Sequence, residues 1–257
     1  SQQFIDLVTI DSPSREEKEV ALKLEKILKQ MGASVGFDRA EEKTGGNCSN
    51  LIARFKGTVD TEPMFLCGHM DTVGPGRGIQ VQFEDGVFRS DGTTILGADD
   101  KSALAIILEV MSVILENNID YPPVEVIFTV CEEIGLLGAK HLDYSLMASR
   151  FGYILDSTDA EGIVTRAPSA NSIAVKVRGR AAHAGGFPER GISAIQVASK
   201  AISRLSLGRI DHETTCNLGT IQGGEATNIV PEYVEIHGEA RSHDPDKLDR
   251  LTRTIVA

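Results

Sequence analysis

Tryptophan is absent from this chain, and only 5% of its 257 residues are aromatic. A surface that stacks nucleobases needs aromatic platforms, so this scarcity argues against nucleic-acid binding. Cations are also few: 26 Lys and Arg stand against 37 Asp and Glu, a formal net charge of −11. A phosphate-binding surface needs a basic stripe, which this balance does not supply. Cysteine is sparse, and Cys48, Cys67, Cys131 and Cys216 lie far apart without a C-x-x-C pair. That spacing argues against a disulfide framework and points to the reducing cytoplasm. Cys67 and Cys131 end apolar runs and read as buried small hydrophobes. Long apolar runs are missing too. The most apolar helix candidate, ALAIILEVMSVIL at 103–115, carries Glu109 and is too short to cross a bilayer. The opening SQQFIDLVTI has no basic region followed by an apolar one, so neither a signal peptide nor a membrane partner is expected.

What is present suits a globular protein of one large or two ordinary domains: 41% hydrophobic and 25% charged residues. Residues 14–33 read as a helix, with Ser14 and Glu17 as a capping box and Val20, Leu22, Leu24, Ile27 and Leu28 as its apolar face. Strands are predicted at 49–56, 64–68, 79–83 and 87–90, the last two joined by a turn at Asp85-Gly86. A helix over 101–117, a buried strand at 124–130, a helix over 136–148 and a short strand at 152–156 follow. This alternation predicts an α/β fold, a mostly parallel twisted sheet with helices on both faces. After about residue 167 the texture changes. NSIAVKVRG alternates like a half-buried strand, and 192–205 places Ile192, Ile195, Ala198, Ile202 and Leu205 on one helix stripe. Two more strands and a helix opening at Pro245 complete a β-α-β-β-α order, one strand short of the ferredoxin-like module.

The reactive side chains cluster at strand ends. MFLC ends in Gly68-His69-Met70-Asp71, TTILG leads to Ala98-Asp99-Asp100, VEVIFTV ends in Cys131-Glu132-Glu133, and GYIL ends in Asp156. In open α/β sheets, ligands bind at the carboxyl ends of the strands. Taken singly, Asp99 or Asp100 reads as a helix N-cap, Glu132-Glu133 as a solvated turn, and His69 as a hydrogen-bonded core histidine. Taken together, four strand ends carrying an imidazole and several carboxylates describe one crevice. Converging carboxylates raise each other's pKa values, so a cation should hold them. The local sequence offers only Lys101; a pair of divalent metals, bound by nitrogen and oxygen together, suits the set better.

The ordered motifs GHMDTV, GTTILGADDKSALA, TVCEEIGLLGAKHLD, YILD and RAAHAGGFPERGISAI resemble peptidase T and the peptidase T-like branch of the co-catalytic zinc exopeptidases, a family that also holds carboxypeptidase G, succinyl-diaminopimelate desuccinylase and aminoacylases. The resemblance runs from the first helix to the last residue. It implies a metal-binding catalytic domain at 1–166 and an inserted α+β ferredoxin-like lid at 167–257, both incomplete. It implies two divalent metal ions, zinc with cobalt or manganese as alternatives. His69, Asp99 and Asp156 would hold one, Asp99 would bridge to the second, and Glu133 would bind the second. Glu132 would be the general base, and Asp71 would orient His69, as carboxylates beside metal histidines do. A cis peptide at Asp99–Asp100 is implied as well. In the lid, His183 would donate to the tetrahedral oxyanion, often from the partner subunit of a homodimer, and Arg241 and Asn228 would hold a substrate carboxylate. The polar alternation of Tyr233, Glu235, His237, Glu239 and Arg241 along YVEIHGEAR equally fits a solvated sheet face.

One feature of the family has no match: a further histidine, beyond the lid, that completes the second metal site. The expectation is therefore a fragment of a longer protein, with an uncovered apolar face on its last helix and an unpaired sheet edge. The function expected is metal-dependent hydrolysis of short peptides, tripeptide aminopeptidase-like. The alternatives are an amidohydrolase that deacylates N-acyl amino acids and a catalytically impaired binding module. Asp rather than Glu at position 156 favours the peptidase T side.

Overall fold

The apolar runs form sheets in two units, Ser1–Ala160 and Glu161–Ala257. The computed structural model describes residues 1–157, 159 and 161–256. The division read from the sequence at 166/167 lies within 161–168, which form no helix or strand, just before the first strand of the second unit.

The first unit runs α1 (Gln2–Val8), α2 (Lys18–Gln30), β1 (Ser34–Phe37), α3 (Glu41–Thr44), β2 (Leu51–Phe55), β3 (Met64–His69), β4 (Val81–Glu84), β5 (Val87–Ser90), α4 (Ala98–Glu116), β6 (Val124–Thr129), α5 (Leu137–Lys140) and β7 (Gly152–Ile154). Five strands make one sheet in the order β1-β2-β6-β3-β7. The sheet is mixed: β1 with β2 and β2 with β6 are antiparallel, whereas β3 pairs in parallel with both β6 and β7. Parallel neighbours need a long crossover, which α4 supplies between β3 and β6. The parallel half carries the strand ends singled out above. All of β6 is buried, as befits a mostly apolar central strand, Glu125 included. Leu24 and Leu28 of α2 and Leu104, Ile107, Leu108 and Met111 of α4 meet Leu51, Val126 and Phe128 in the core. Each such side chain contributes about 1.5–3 kcal/mol by leaving water.

Three local expectations differ from the structure. The capping box does not form, because α2 starts at Lys18 and its N-cap makes no side-chain bond. Ser14 and Glu17 turn instead toward residues far along the chain. With the helix phased by Glu17, Val20, Ala21, Leu24 and Leu28, Leu22 is half exposed and Ala21 takes its place in the core. The helix expected over 136–148 is a single turn, α5, followed by a 3-10 turn at Tyr144–Leu146. Asp143 caps that turn by accepting from the Ser145 N–H, a local bond that competes with a continuing helix. β1 is a short, mostly exposed strand whose S-V-G-F carries no alternation signal. The β4–β5 turn matches expectation: Asp85 and Gly86 have φ 52° and 78°, as a two-residue hairpin turn of this type requires.

The second unit runs β8 (Ser169–Arg178), α6 (Ala194–Ile202), β9 (Gly208–Arg209), β10 (Thr214–Gly223), β11 (Tyr233–Ser242) and α7 (Pro245–Val256). Its sheet is antiparallel throughout, in the order β8-β11-β10-β9. Apart from the two-residue β9, this is the expected β-α-β-β-α order. Val234, Ile236 and Ala240 of β11 are buried, and Tyr233, His237 and Arg241 are exposed, a period of two. Ala194 and Ala198 of α6 pack on Val234 and Ile236, whereas Ile192 and Ile195 of the expected stripe are half exposed. The apolar face of α7 is covered: Leu248, Leu251 and Ile255 pack with Ile173 and Ala240. Among the described residues no helix is long and apolar enough to cross a membrane. All four cysteines are free, and burial pushes the Cys131 thiol up to about 12, an inert state.

Candidate metal centre

The parallel strands β3, β6 and β7 and the start of α4 bring the expected carboxylates to one imidazole. His69, the last residue of β3, is buried. Its Nε2 lies 3.1 Å from Asp99 Oδ1 and 3.9 Å from Glu132 Oε2, and its Nδ1 lies 3.3 Å from Asp71 Oδ1. Donor atoms of His69, Asp99 and Asp156 lie within 4.8 Å of one another. Those of His69, Glu132 and Glu133 do so as well, so the two trios share His69. Asp99 and Asp156 are exposed, Glu132 and Glu133 partly so, and the imidazole forms the buried floor. An open cleft runs over Asp99, Asp100, Leu155 and Asp156.

The backbone makes this geometry. Asp99 and Asp100 precede the regular turns of α4, with ψ angles of 108° and 28°, and the peptide between them is cis. Asp100 points into the protein, where its Oδ2 accepts from the His69 N–H at 3.1 Å. A Cβ on Gly68 would come 2.8 Å from that oxygen, so the glycine admits the contact. Cys131, at φ 54°, turns the chain after β6 and presents Glu132 and Glu133.

Asp71 fastens three members of the site and has no exposed surface. Its Oδ1 accepts from the Glu132 N–H at 2.9 Å, and its Oδ2 accepts from the Glu133 N–H at 3.2 Å and the Ser14 hydroxyl at 2.6 Å. Burial alone would raise its pKa, but His69, Ser14 and the Glu132 N–H outweigh burial and hold it low. Burial also acts to lower the pKa of His69, but Asp71, Asp100 and Glu132 outweigh it and push the imidazole up to about 9. Burial raises Asp100 to about 7, with Asp156 and Asp99 adding to the shift. Glu132 and Glu133 are raised by burial and by neighbouring carboxylates. One imidazole nitrogen among several carboxylate oxygens is a donor set that fits divalent cations of the zinc, cobalt or manganese type, which take both atom types.

Sequence reasoning did not find the residues that hold this set in place. Ser14, Glu17 and Ser12 were hidden in a segment that reads locally as a helix start, and Lys101 read as a candidate counter-ion for the carboxylates. Lys101 is 1% exposed, and its Nζ donates to Ser12 Oγ at 2.6 Å instead.

In the second unit, His183 and Asn228 are neighbours: the Ala184 N–H donates to the Asn228 carbonyl at 2.8 Å, and His183 bridges to Ile229. His183 Nδ1 accepts from the N–H groups of Gly185 and Gly186, which leaves Nε2 as the nitrogen able to donate outward. Arg241 lies on the exposed face of β11, where its guanidinium forks onto the Glu239 carboxylate with two contacts of 2.9 Å.

Residues 168–257 match a family model described as a peptidase dimerisation domain. Over all 257 residues the chain is 46% identical to "Uncharacterized protein YqjE" of Bacillus subtilis strain 168, covering 69% of it. The crystal structure of aminopeptidase PepT from Bacillus cereus ATCC 10987 superposes with a TM-score of 0.93 at 43% identity. A tripeptidase from Staphylococcus aureus Mu50 superposes with a TM-score of 0.92 at 38% identity. Each alignment covers 99% of this chain and 69% of the other. More distant curated relatives are spanned less fully, for 56% of a Pseudomonas carboxypeptidase G2 and 61% of a Clostridium perfringens peptidase T. The class is therefore a peptidase scaffold, an α/β unit followed by a dimerisation unit. The chain belongs to the M20 peptidase family, on the side of its PepT-like members.

Proposed function

We propose that this chain forms the metal centre of a two-metal aminopeptidase that removes residues from short peptides. The observation that carries the reading is the gathering of Asp99 and Asp156, and of Glu132 and Glu133, around His69 at the carboxyl ends of the parallel strands. His69, Asp99 and Asp156 would hold one cation, and Glu133 would help to hold the other. When bound, such cations supply Lewis acidity toward a scissile carbonyl and its attacking water. Glu132 takes a proton from that water at its carboxylate and passes it to the leaving amine. Its raised pKa brings it nearer the range in which a base both accepts and returns a proton. Asp71 Oδ1 faces His69 Nδ1 at 3.3 Å and would orient the ring, with Nε2 the nitrogen turned toward Asp99 and Glu132. His183 and Asn228, adjacent within the second unit, would act together on a substrate; Arg241 would do so only after leaving Glu239. The likeness to PepT and to a tripeptidase, each near 40% identity, favours peptides over N-acyl amino acids.

A library of short peptides incubated with the protein and added zinc or cobalt tests this, read by mass spectrometry. Shortening from the amino terminus is expected. Glu132→Ala should keep cobalt binding and lose about 100-fold or more of the turnover. Release of acyl groups with intact peptides, or turnover indifferent to Glu132, would refute the proposal.

A further inference from the structure

Two ionisable side chains, Glu17 and Lys101, are almost wholly buried next to the metal centre without belonging to it. Burying such groups is costly unless they do something there. Glu17 Oε1 accepts from the N–H of Cys131 at 2.9 Å and from that of Arg15 at 3.0 Å. Cys131 immediately precedes Glu132. Ser14, three residues before Glu17, donates to Asp71 Oδ2. Ser12 donates to the carbonyl of Met70, between His69 and Asp71, at 2.9 Å, and its own carbonyl accepts from the Thr72 N–H. Lys101, two residues after Asp99, closes the set through its bond to Ser12. One six-residue stretch, 12–17, is thus bonded to the segment that follows His69, to the loop that bears Glu132 and Glu133, and to the helix that contains Asp99.

We propose that residues 12–17 are a brace, with Ser14 and Glu17 as positioning residues that set the placement of Glu132 and Glu133 relative to His69. The geometry favours this over simple packing. The side chains of Ser12, Ser14 and Glu17 bond to the Met70 carbonyl, the Asp71 carboxylate and the Cys131 N–H, each within two residues of His69 or Glu132. The consequence for metal affinity rests on the metal-centre reading; the placement of the 131–133 backbone does not.

Hydrogen exchange on the metal-free protein tests the placement, and cobalt titration against a chelator tests the consequence. Glu17→Ala removes the acceptor of the Cys131 N–H, so amides at 131–133 should exchange about tenfold faster or more, while those of β2 and the middle of α4 keep their wild-type rates. Glu17→Gln retains a side-chain oxygen acceptor and should restore slow exchange. Ser14→Ala should speed exchange of the Glu132 and Glu133 amides, which Asp71 holds, and weaken cobalt binding about tenfold or more. Ser14→Ala carries the test alone if Glu17→Ala does not fold. Wild-type exchange rates at 131–133, or an increase spread evenly over the unit, would overturn the brace. If the wild-type protein binds no cobalt, the metal-centre reading fails, and the exchange rates still decide the brace.

Discussion

Asp71 accepts from the hydroxyl of Ser14 and the N–H groups of Glu132 and Glu133, and its Oδ1 lies 3.3 Å from His69 Nδ1. A carboxylate so placed holds the backbone of Glu132 and Glu133 while facing the imidazole. Asp71→Asn keeps the shape but weakens the pull on His69. Metal affinity should fall about 10–100-fold, as for other partners of metal ligands, measured by competition with a chelator. An unchanged affinity would remove Asp71 from the site. That His69, Asp71, Asp99, Glu132, Glu133 and Asp156 come together was legible in the sequence, because each lies at the end of an apolar strand or the start of a helix. Glu17 was not. S-x-x-E before an apolar run satisfies the local rule for a helix start, and its actual partners, Asp71 and Cys131, are 57 and 114 positions from Ser14 and Glu17 respectively.

The elements hold these residues by close approach and by buried hydrogen bonds. α4 packs on β3 at Gly68, where a Cβ would lie 2.8 Å from Asp100 Oδ2 and 3.2 Å from Ala103 Cβ. Gly68→Ala should destabilise the protein by about 1–3 kcal/mol in denaturant titration. It should also loosen the bond between Asp100 and the His69 N–H, with weaker cobalt binding as the second readout. In the middle of the sheet, Glu125 of β6 is buried and accepts from the N–H groups of Ala148 and Ser149 and from the Ser149 hydroxyl. Burial raises its pKa, but the Ser149 and Ala148 bonds and Arg54 outweigh this and leave it lowered. A carboxyl with a lower pKa folded than unfolded stabilises fully above its unfolded value. That contribution disappears as pH falls through the folded value. Glu125→Gln should therefore cost about 1–3 kcal/mol near neutral pH. The deficit relative to wild type should shrink as pH drops below the carboxylate range, followed by thermal melts across pH. A constant deficit would assign the effect to shape instead of charge.

At the scale of the molecule, the second unit matches a peptidase dimerisation domain and leaves Ile192, Ile195, Val197 and Ile221 half exposed. A homodimer is the expected state, measured by sedimentation at micromolar concentration. Ile195→Glu should shift it toward monomer, since an unpaired charge in an apolar contact is costly; a wild-type monomer would contradict the expectation. The chain spans 69% of its near relatives, so the same measurements on a relative of full length bear directly on the metal centre.

The sequence by itself determined which residue types stand at the ends of β3, β6 and β7 and at the start of α4, because strand and helix periodicity are local properties of the chain. It also determined the α/β and α+β units, whose apolar patterns differ in period. The antiparallel half of the first sheet, the single turn where a helix was expected, and the link from residues 12–17 to both loops of the metal centre were decided only by the tertiary structure. Ser14 and Glu17 took partners far away in sequence over equally acceptable local ones, and the Asp143 N–H donates to Asp38 where a continuing helix would need a local acceptor; local pattern carries no record of such choices.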